Sequence, residues 1–438
     1  MLPIVGFPQI VEQQAFWFES VFTTDEQRKH FREYVTGLIA GDEATVTAIN
    51  SLFLDRNDQS ALNKFLTQAK WDEHELNRRR VQMELARLRR RRVSPKAGRL
   101  ILDDTLAHHT RCSIEWLSHL WDHAEQRYVW AHDVVTSYYV NRADQFPFDF
   151  RLWYQFQAKK ERKRLRQEAH ALIQQPTLDG YRQRVLELLV FRIRQQIYRT
   201  KTALGAELVQ SAVAMGLPFS VVVFDSWFLH NDLIDGIEAV HKDWVGGCPR
   251  NRLVLVNNRW MQLQAFWKTL PPAAYRPTEI HDRRYWVFTK VLPMKSLRRR
   301  RVRIVVSFDN PDLKGEPRLL VSNRKDWERT RILLTYSDRW PTETFNEDAK
   351  GHLGFEDYQL HKLRGIRRHW YLCFVAYSLL GDQGYPGRSR QGVRAPFEST
   401  GQRCHAVAQE LLGYLVNWIA QQLQEGVPPA TITQTLLA

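Results

Sequence analysis

Cysteine is scarce in this sequence: Cys112, Cys248, Cys373 and Cys404 are the only four in 438 residues. They stand far apart and in none of the spacings that hold a metal. That excludes a disulfide scaffold or a zinc module and points to reduced thiols in a cytoplasmic protein. Also missing is any apolar run near the roughly 20 residues that cross a bilayer. The segment Met1-Leu-Pro-Ile-Val-Gly-Phe-Pro8 has no basic stretch followed by an apolar one, so no signal peptide is expected. No internal repeat is evident. Acidic residues are the minority, 48 against 63 Lys and Arg, which leaves a formal charge of +15. A surplus of that size implies a polyanionic partner, nucleic acid ahead of a membrane surface.

What is present is an ordinary globular chain, 44% hydrophobic and long enough for two or three domains. Residues 1–97 read as a helical, basic DNA-binding region. Phe16, Phe18, Val21 and Phe22 form an apolar stripe, and 76–92 is an arginine-rich helix in which Arg87 and Arg90 are candidate phosphate contacts. Ser94-Pro95-Lys-Ala-Gly98 breaks the pattern. The texture then turns to strand: 99–104, 128–140, 146–152 and 217–225, with 253–256 as a further core strand and a long helical stretch over 181–215 between them. Residues 258–330 read as an antiparallel β insertion, its basic edge marked by Arg298 and Arg299 in a run of four arginines. Residues 98–257 and 331–380 would form the catalytic core. The remainder, 381–438, reads as a linker and a terminal helix for dimerisation or DNA contact.

Tyr336-Ser-Asp-Arg339-Trp-Pro-Thr-Glu343 leads on to Lys350. The pattern sets one carboxylate among three groups able to bind phosphate. Pro341 suits a first helical turn, so Tyr336 and Arg339 are expected on the turn before a helix that carries Glu343. Two further carboxylates close strands, one at Asp103-Asp104 and one at Asp225. Ligand sites in open α/β sheets lie at the carboxyl ends of strands, so these acids and Glu343 can meet at one edge. Such a trio suits phosphodiester hydrolysis, which two divalent ions about 3.5–4 Å apart can drive. Neighbouring strand residues face opposite ways, so only one of Asp103 and Asp104 can join. Alternation alone leaves open which of the two it is. His108, His109, His369 and His405 show no ligand spacing, and Glu347 reads as solvated.

These features resemble the bacterial cut-and-paste insertion-sequence transposases of the DDE class, which have an RNase H-like core and a Tyr-Arg-Glu-Lys motif. Asp104-Thr105, Val221-Val-Val-Phe-Asp225, Glu343, Lys350-Gly-His-Leu-Gly354 and Arg367-Arg-His-Trp-Tyr-Leu372 carry the likeness, over about residues 99–380. The resemblance implies an α/β fold: a mixed sheet flanked by helices, interrupted by the insertion, with helical regions at both ends. It implies Asp104, Asp225 and Glu343 as ligands of two magnesium ions, with manganese able to substitute. Tyr336, Arg339 and Lys350 would steady phosphates, and Trp286 or Trp327 would take a flipped base. The implied enzyme binds terminal inverted repeats and target DNA as a homodimer in the bacterial cytoplasm. It would nick each end, form a hairpin and join the 3′ ends to target. A nuclease of the same fold that does not join strands, and a catalytically silent DNA-binding descendant, are the alternatives.

Overall fold

The computed structural model describes residues 3–437 apart from 57, 95, 97, 111, 112, 143, 157–162, 164–177 and 383–398. Cys112, most of the basic excursion at 159–166 and most of the Gly/Arg/Ser-rich stretch at 381–402 lie outside the described residues. Helices α1 (Gln9–Gln14), α2 (Asp25–Ala40), α3 (Val46–Ser51), α4 (Gln59–Thr67) and α5 (Glu73–Arg90) come first. Strands β1 (Gly98–His109), β2 (Ser118–Asp122), β3 (Arg127–Val140) and β4 (Gln145–Trp153) follow, then α6 (Leu178–Ile197), α7 (Lys201–Ala214), β5 (Phe219–Phe224), α8 (Asn231–Ala239) and β6 (Asp243–Gly247). Thr200 caps α7, its hydroxyl accepting the Ala203 N–H, and so divides the helical stretch expected over 181–215.

One mixed sheet of ten strands organises the molecule. β1 runs parallel to β5, and β5 to β6, while β3 is antiparallel to β1 and to β4. The core order β4-β3-β1-β5-β6 is that of an RNase H-like fold, and β2 adds a hairpin to β3. Strands β7 (Leu253–Val256) and β8 (Arg259–Gln262) form a separate two-stranded ribbon, followed by α9 (Leu263–Lys268). The antiparallel strands β9 (Arg276–Ile280), β10 (Arg283–Pro293), β11 (Arg301–Phe308) and β12 (Arg318–Ser322) extend the core sheet, because β12 pairs with β6.

The core strand expected at 253–256 is therefore β6 instead. Its Gly246-Gly247 pair reads as a turn, yet packing demands it. A Cβ at Gly246 would lie 2.1 Å from the Phe224 ring, and one at Gly247 2.7 Å from the Ser226 nitrogen.

Alternation along β1 assigns its side chains to two layers. Ile101 and Ala107 join Val221, Val223, Val134 and Tyr138 on one face. Leu100 and Leu102 join Val222, Phe224, Leu204 and Leu208 of α7 on the other. The first face is covered by α10 (Arg329–Ser337), α11 (Trp340–His352) and α12 (Leu363–Asp382), with α13 (Thr400–Gln424) and α14 (Pro429–Leu437) beyond. The amino-terminal helices share this layer: Phe31, Tyr34, Val35 and Leu38 of α2 pack into the same core as Trp370 and Phe374 of α12.

Buried polar groups tie the two parts together. His369 of α12 is fully buried, with Tyr34 Oη 2.8 Å from Nδ1 and the Gly354 carbonyl 2.9 Å from Nε2. A carbonyl only accepts, so Nε2 carries the proton. Burial pushes the His369 pKa down to about 4. A folded pKa below the unfolded value of roughly 6.5 stabilises above pH 6.5 and is lost as pH falls toward 4. The loss amounts to about 3 kcal/mol when complete. Chemical denaturation of wild type and His369→Gln from pH 7 to 4 checks this: the wild-type curve should fall more steeply below pH 6.5, and parallel curves would contradict it.

Candidate active site

Asp103 and Asp104 sit in the middle of β1, opposite Thr136 and Val135 of β3. Asp103 shares the face of Ile101, toward α11; Asp104 shares the face of Leu102, toward α7. Asp225 follows β5 directly. Because Leu102 pairs with Phe224 in the parallel ladder, Asp103 and Asp225 each lie one step further on adjacent strands. Strand spacing puts their backbones roughly 5 Å apart.

Glu343 and Arg339 come from α11, as the proline spacing suggests. Pro341 lies in the first turn of that helix and Arg339 at its N-cap, while Tyr336 lies within the last turn of α10 rather than on the turn between the helices. Thr342, Phe345 and Ala349 seat α11 on the sheet, Phe345 stacking 5.2 Å from Tyr138. Arg339 then joins the acids: its Nη1 donates to Asp103 Oδ2 at 2.8 Å and its Nη2 to Glu343 Oε1. One guanidinium bridges two carboxylates.

The electrostatics fit a cation-binding cluster. Burial, with Asp104 and Asp225 adding, pushes the Asp103 pKa up to about 7 against the pull of Arg339. Asp225 is also raised, by burial and then by Asp104, although the Trp227 N–H donates to its Oδ1 at 2.8 Å. Burial is the main cause of both shifts, with repulsion between the acids adding to it and Arg339 opposing it. A hard divalent cation with oxygen ligands is the natural complement, so the residues present fit a divalent metal.

Asp104 belongs to a different constellation. Lys201, at the start of α7, lies 2.6 Å from Asp104 Oδ2 and 2.5 Å from Asp133 Oδ2, with its ammonium 5.1 Å from the Trp153 ring centre. Burial pushes Asp133 up to about 7, Asp104 adding to the shift and Lys201 opposing it. No motif announces Lys201. Its only local signal is its place after the Thr200 cap.

The other expected contacts divide sharply. Lys350 donates to the Leu106 carbonyl at 2.6 Å and pairs with Glu356 at 2.9 Å, so it braces α11 against β1. Tyr336 is partly buried, with the Arg318 guanidinium 6.0 Å from its ring centre, and burial raises its pKa. Trp327 is 3% exposed, its ring covered by Arg331 at 4.0 Å and Arg324 at 5.3 Å, and Trp286 packs partly buried on the insertion core. Neither ring offers a free face comparable to two tryptophans that sequence reasoning passed over. Trp340, next to Arg339, is 70% exposed, and Trp227, two residues beyond Asp225, is 67% exposed.

Arg87 is not a surface contact. It is buried, donating to Glu84 at 3.1 Å and the Ser378 carbonyl at 2.7 Å. Arg80 is buried likewise, donating to the Pro147 and Phe148 carbonyls, both at 2.7 Å. Arg89 and Arg90 do face solvent, and so do Arg298 and Arg299, whose backbones take left-handed φ of 51° and 63° in the turn between β10 and β11. Non-glycine residues held there cost backbone strain, which often marks a functional turn. Replacing Arg89 and Arg90 by Ala should weaken DNA binding and flatten its salt dependence by about one per phosphate contact. Arg87→Ala should leave that slope intact and lower stability. Salt titration of binding distinguishes the two.

One group whose ligand atoms all lie within 4.8 Å of one another occurs among the described residues. His108, Asp122 and Glu125 meet at the β2–β3 hairpin, with His108 Nε2 2.7 Å from Asp122 and Nδ1 3.6 Å from Glu125. Asp122 Oδ1 also accepts the Ala124 and Glu125 N–H groups, at 2.7 and 3.1 Å, which is the work of a turn cap. His108 thus has partners that its sequence spacing did not reveal.

Residues 18–264 match the family described as DDE superfamily endonuclease, and residues 181–379 match the transposase DDE domain. Asp103, Asp104 and Asp225 fall within the first match, Asp225 and Glu343 within the second. No curated protein gives a significant match. No helix among the described residues is long and apolar enough to cross a membrane. A match over more than half of the chain, on an RNase H-like sheet that carries Asp103 within β1 and Asp225 just past the neighbouring β5, identifies the chain as a member of the DDE superfamily endonucleases, the class that includes DDE transposases.

Proposed function

We propose that this protein is a cut-and-paste transposase, acting on the terminal inverted repeats of an insertion sequence, and that Asp103, Asp225 and Glu343 are its metal ligands. The observation that carries the assignment is the Arg339 bridge between Asp103 and Glu343, with Asp225 on the neighbouring strand. Asp103 thus takes the role that Thr105 had suggested for Asp104. When bound, two magnesium ions (or manganese in their place) would activate the attacking water and neutralise charge at the phosphorus.

The chain's own groups prepare that step. Asp103, Asp225 and Glu343 supply oxygen ligands from two strands and a helix, and the short path between them leaves little freedom to lose on binding. Arg339 offsets their repulsion until DNA arrives, then moves to a phosphate, for which its planar fork is suited. Exposed arginines at 89–90 and 298–299 would contact phosphates elsewhere along the DNA. Water attack frees a 3′-hydroxyl, which attacks the opposite strand to form a hairpin; reopening precedes transfer to target. A flipped base would stack on Trp340, whose ring is free, rather than on Trp286 or Trp327. A homodimer on DNA would bring two such ends together.

The test is incubation of the purified protein with the DNA that flanks its own coding sequence, with magnesium, beside Glu343→Gln. Hairpin-ended fragments from wild type alone are expected. Binding with no cleavage by the wild type would contradict this reading and favour a silent DNA-binding descendant. Cleavage that leaves pre-cut ends unjoined would favour a nuclease.

A further inference from the structure

Trp227 lies outside the Tyr-Arg-Glu-Lys motif and outside the β insertion, yet 67% of it is exposed in the turn that follows Asp225 at the carboxyl end of β5. Its backbone is fixed. Asp225 Oδ1 accepts the Trp227 N–H at 2.8 Å, and Phe228 and Leu229 on its carboxyl side are buried at 0% and 1% exposure. Beneath the turn, Gly247 of β6 lets the chain at Ser226 lie so close that a Cβ would stand 2.7 Å from the Ser226 nitrogen. A large apolar ring is thus held out to solvent by a turn that is hydrogen-bonded to Asp225, buried just beyond the ring and packed against β6. Folding alone gives no reason to expose it.

Resting on the reading of the acids above, we propose that the Trp227 indole is a nucleobase-stacking platform, which holds a base of the strand cut at Asp225. The ring starts two residues from a metal-ligating carboxylate. Duplex DNA rises about 3.4 Å per base, so a base within two or three nucleotides of the scissile phosphate lies in reach. Every base offers a flat π-face, which makes the contact tolerant of sequence. Trp227 is thereby a positioning residue for the scissile strand, separate from the flipped-base role given to Trp340 on the α11 side.

The experiment uses the full-length protein and a duplex of the DNA flanking its coding sequence, with 2-aminopurine placed in turn at the first four nucleotides on each side of the cut. Calcium replaces magnesium so that no strand is broken. Wild type should quench the probe at one or two positions. Trp227→Ala should lose that quenching and bind DNA roughly 5- to 100-fold more weakly, with Trp227→Phe between them. Trp340→Ala should leave the Trp227-dependent position quenched. Equal quenching and affinity in wild type and Trp227→Ala would overturn the proposal while leaving the acids' role standing. Wild type that fails to bind the duplex would sink both.

Discussion

Asp103→Asn should reduce DNA cleavage by roughly 10³-fold or more, while Asp104→Asn should stay within about tenfold of wild type. The two residues are neighbours with the same chemistry, so the contrast isolates geometry. Asp103 faces α11, where Arg339 links it to Glu343, and Asp225 stands on the adjoining strand. Asp104 faces α7 and is held by Lys201. In Asp104→Asn, Lys201 keeps Asp133 at 2.5 Å, so the fold should survive the change. The measurement is single-turnover cleavage of end DNA by both variants, with DNA affinity checked so that binding and chemistry are separated. Loss of cleavage in Asp104→Asn with retention in Asp103→Asn would reverse the assignment.

Lys201→Met should give the largest loss of stability, roughly 3–5 kcal/mol, since removing one partner of a buried pair leaves charge uncompensated. Here the loss strands two carboxylates, Asp104 and Asp133, on the face of the sheet that α7 covers. Burial already pushes Asp133 up to about 7 with the lysine present. Without it, Asp133 would take up its proton at still higher pH, so the variant should recover part of its stability in mild acid. Lys201→Met combined with Asp133→Asn should be less damaged than the sum of the single changes, because each change removes the reason for the other's cost. Urea denaturation of the three variants reads this directly. Additive losses would mean the cluster is not coupled.

β5 was legible as a β-branched run that stops at Asp225, and β1 as an apolar run reaching Asp103-Asp104, although the strand continues past them to His109. The helix of Glu343 was legible from Pro341 and from the spacing to Lys350. What could not be read was which face of β1 meets that helix. Alternation says that Asp103 and Asp104 diverge, but the side is fixed by α7 and α11 packing from 97 and more than 230 residues away. β6 was missed because its two glycines look like a turn until Phe224 and Ser226 are set against them. The arginines of α5 misled for a different reason. Arg80, Glu84 and Arg87 follow Leu76 and Asn77 at helical spacing on the buried stripe, whereas Arg89 and Arg90 lie off it. Reading the run for phase rather than for charge would have separated them.

Iron(II) replaced for magnesium, with ascorbate and peroxide, cuts a polypeptide beside the site where the ion is held. Fragments broken near residues 103, 225 and 343 are expected, lost in Asp103→Asn and undisturbed in Asp104→Asn. Cutting confined to the hairpin of His108, Asp122 and Glu125, or to the face of Lys201 and Asp133, would contradict it.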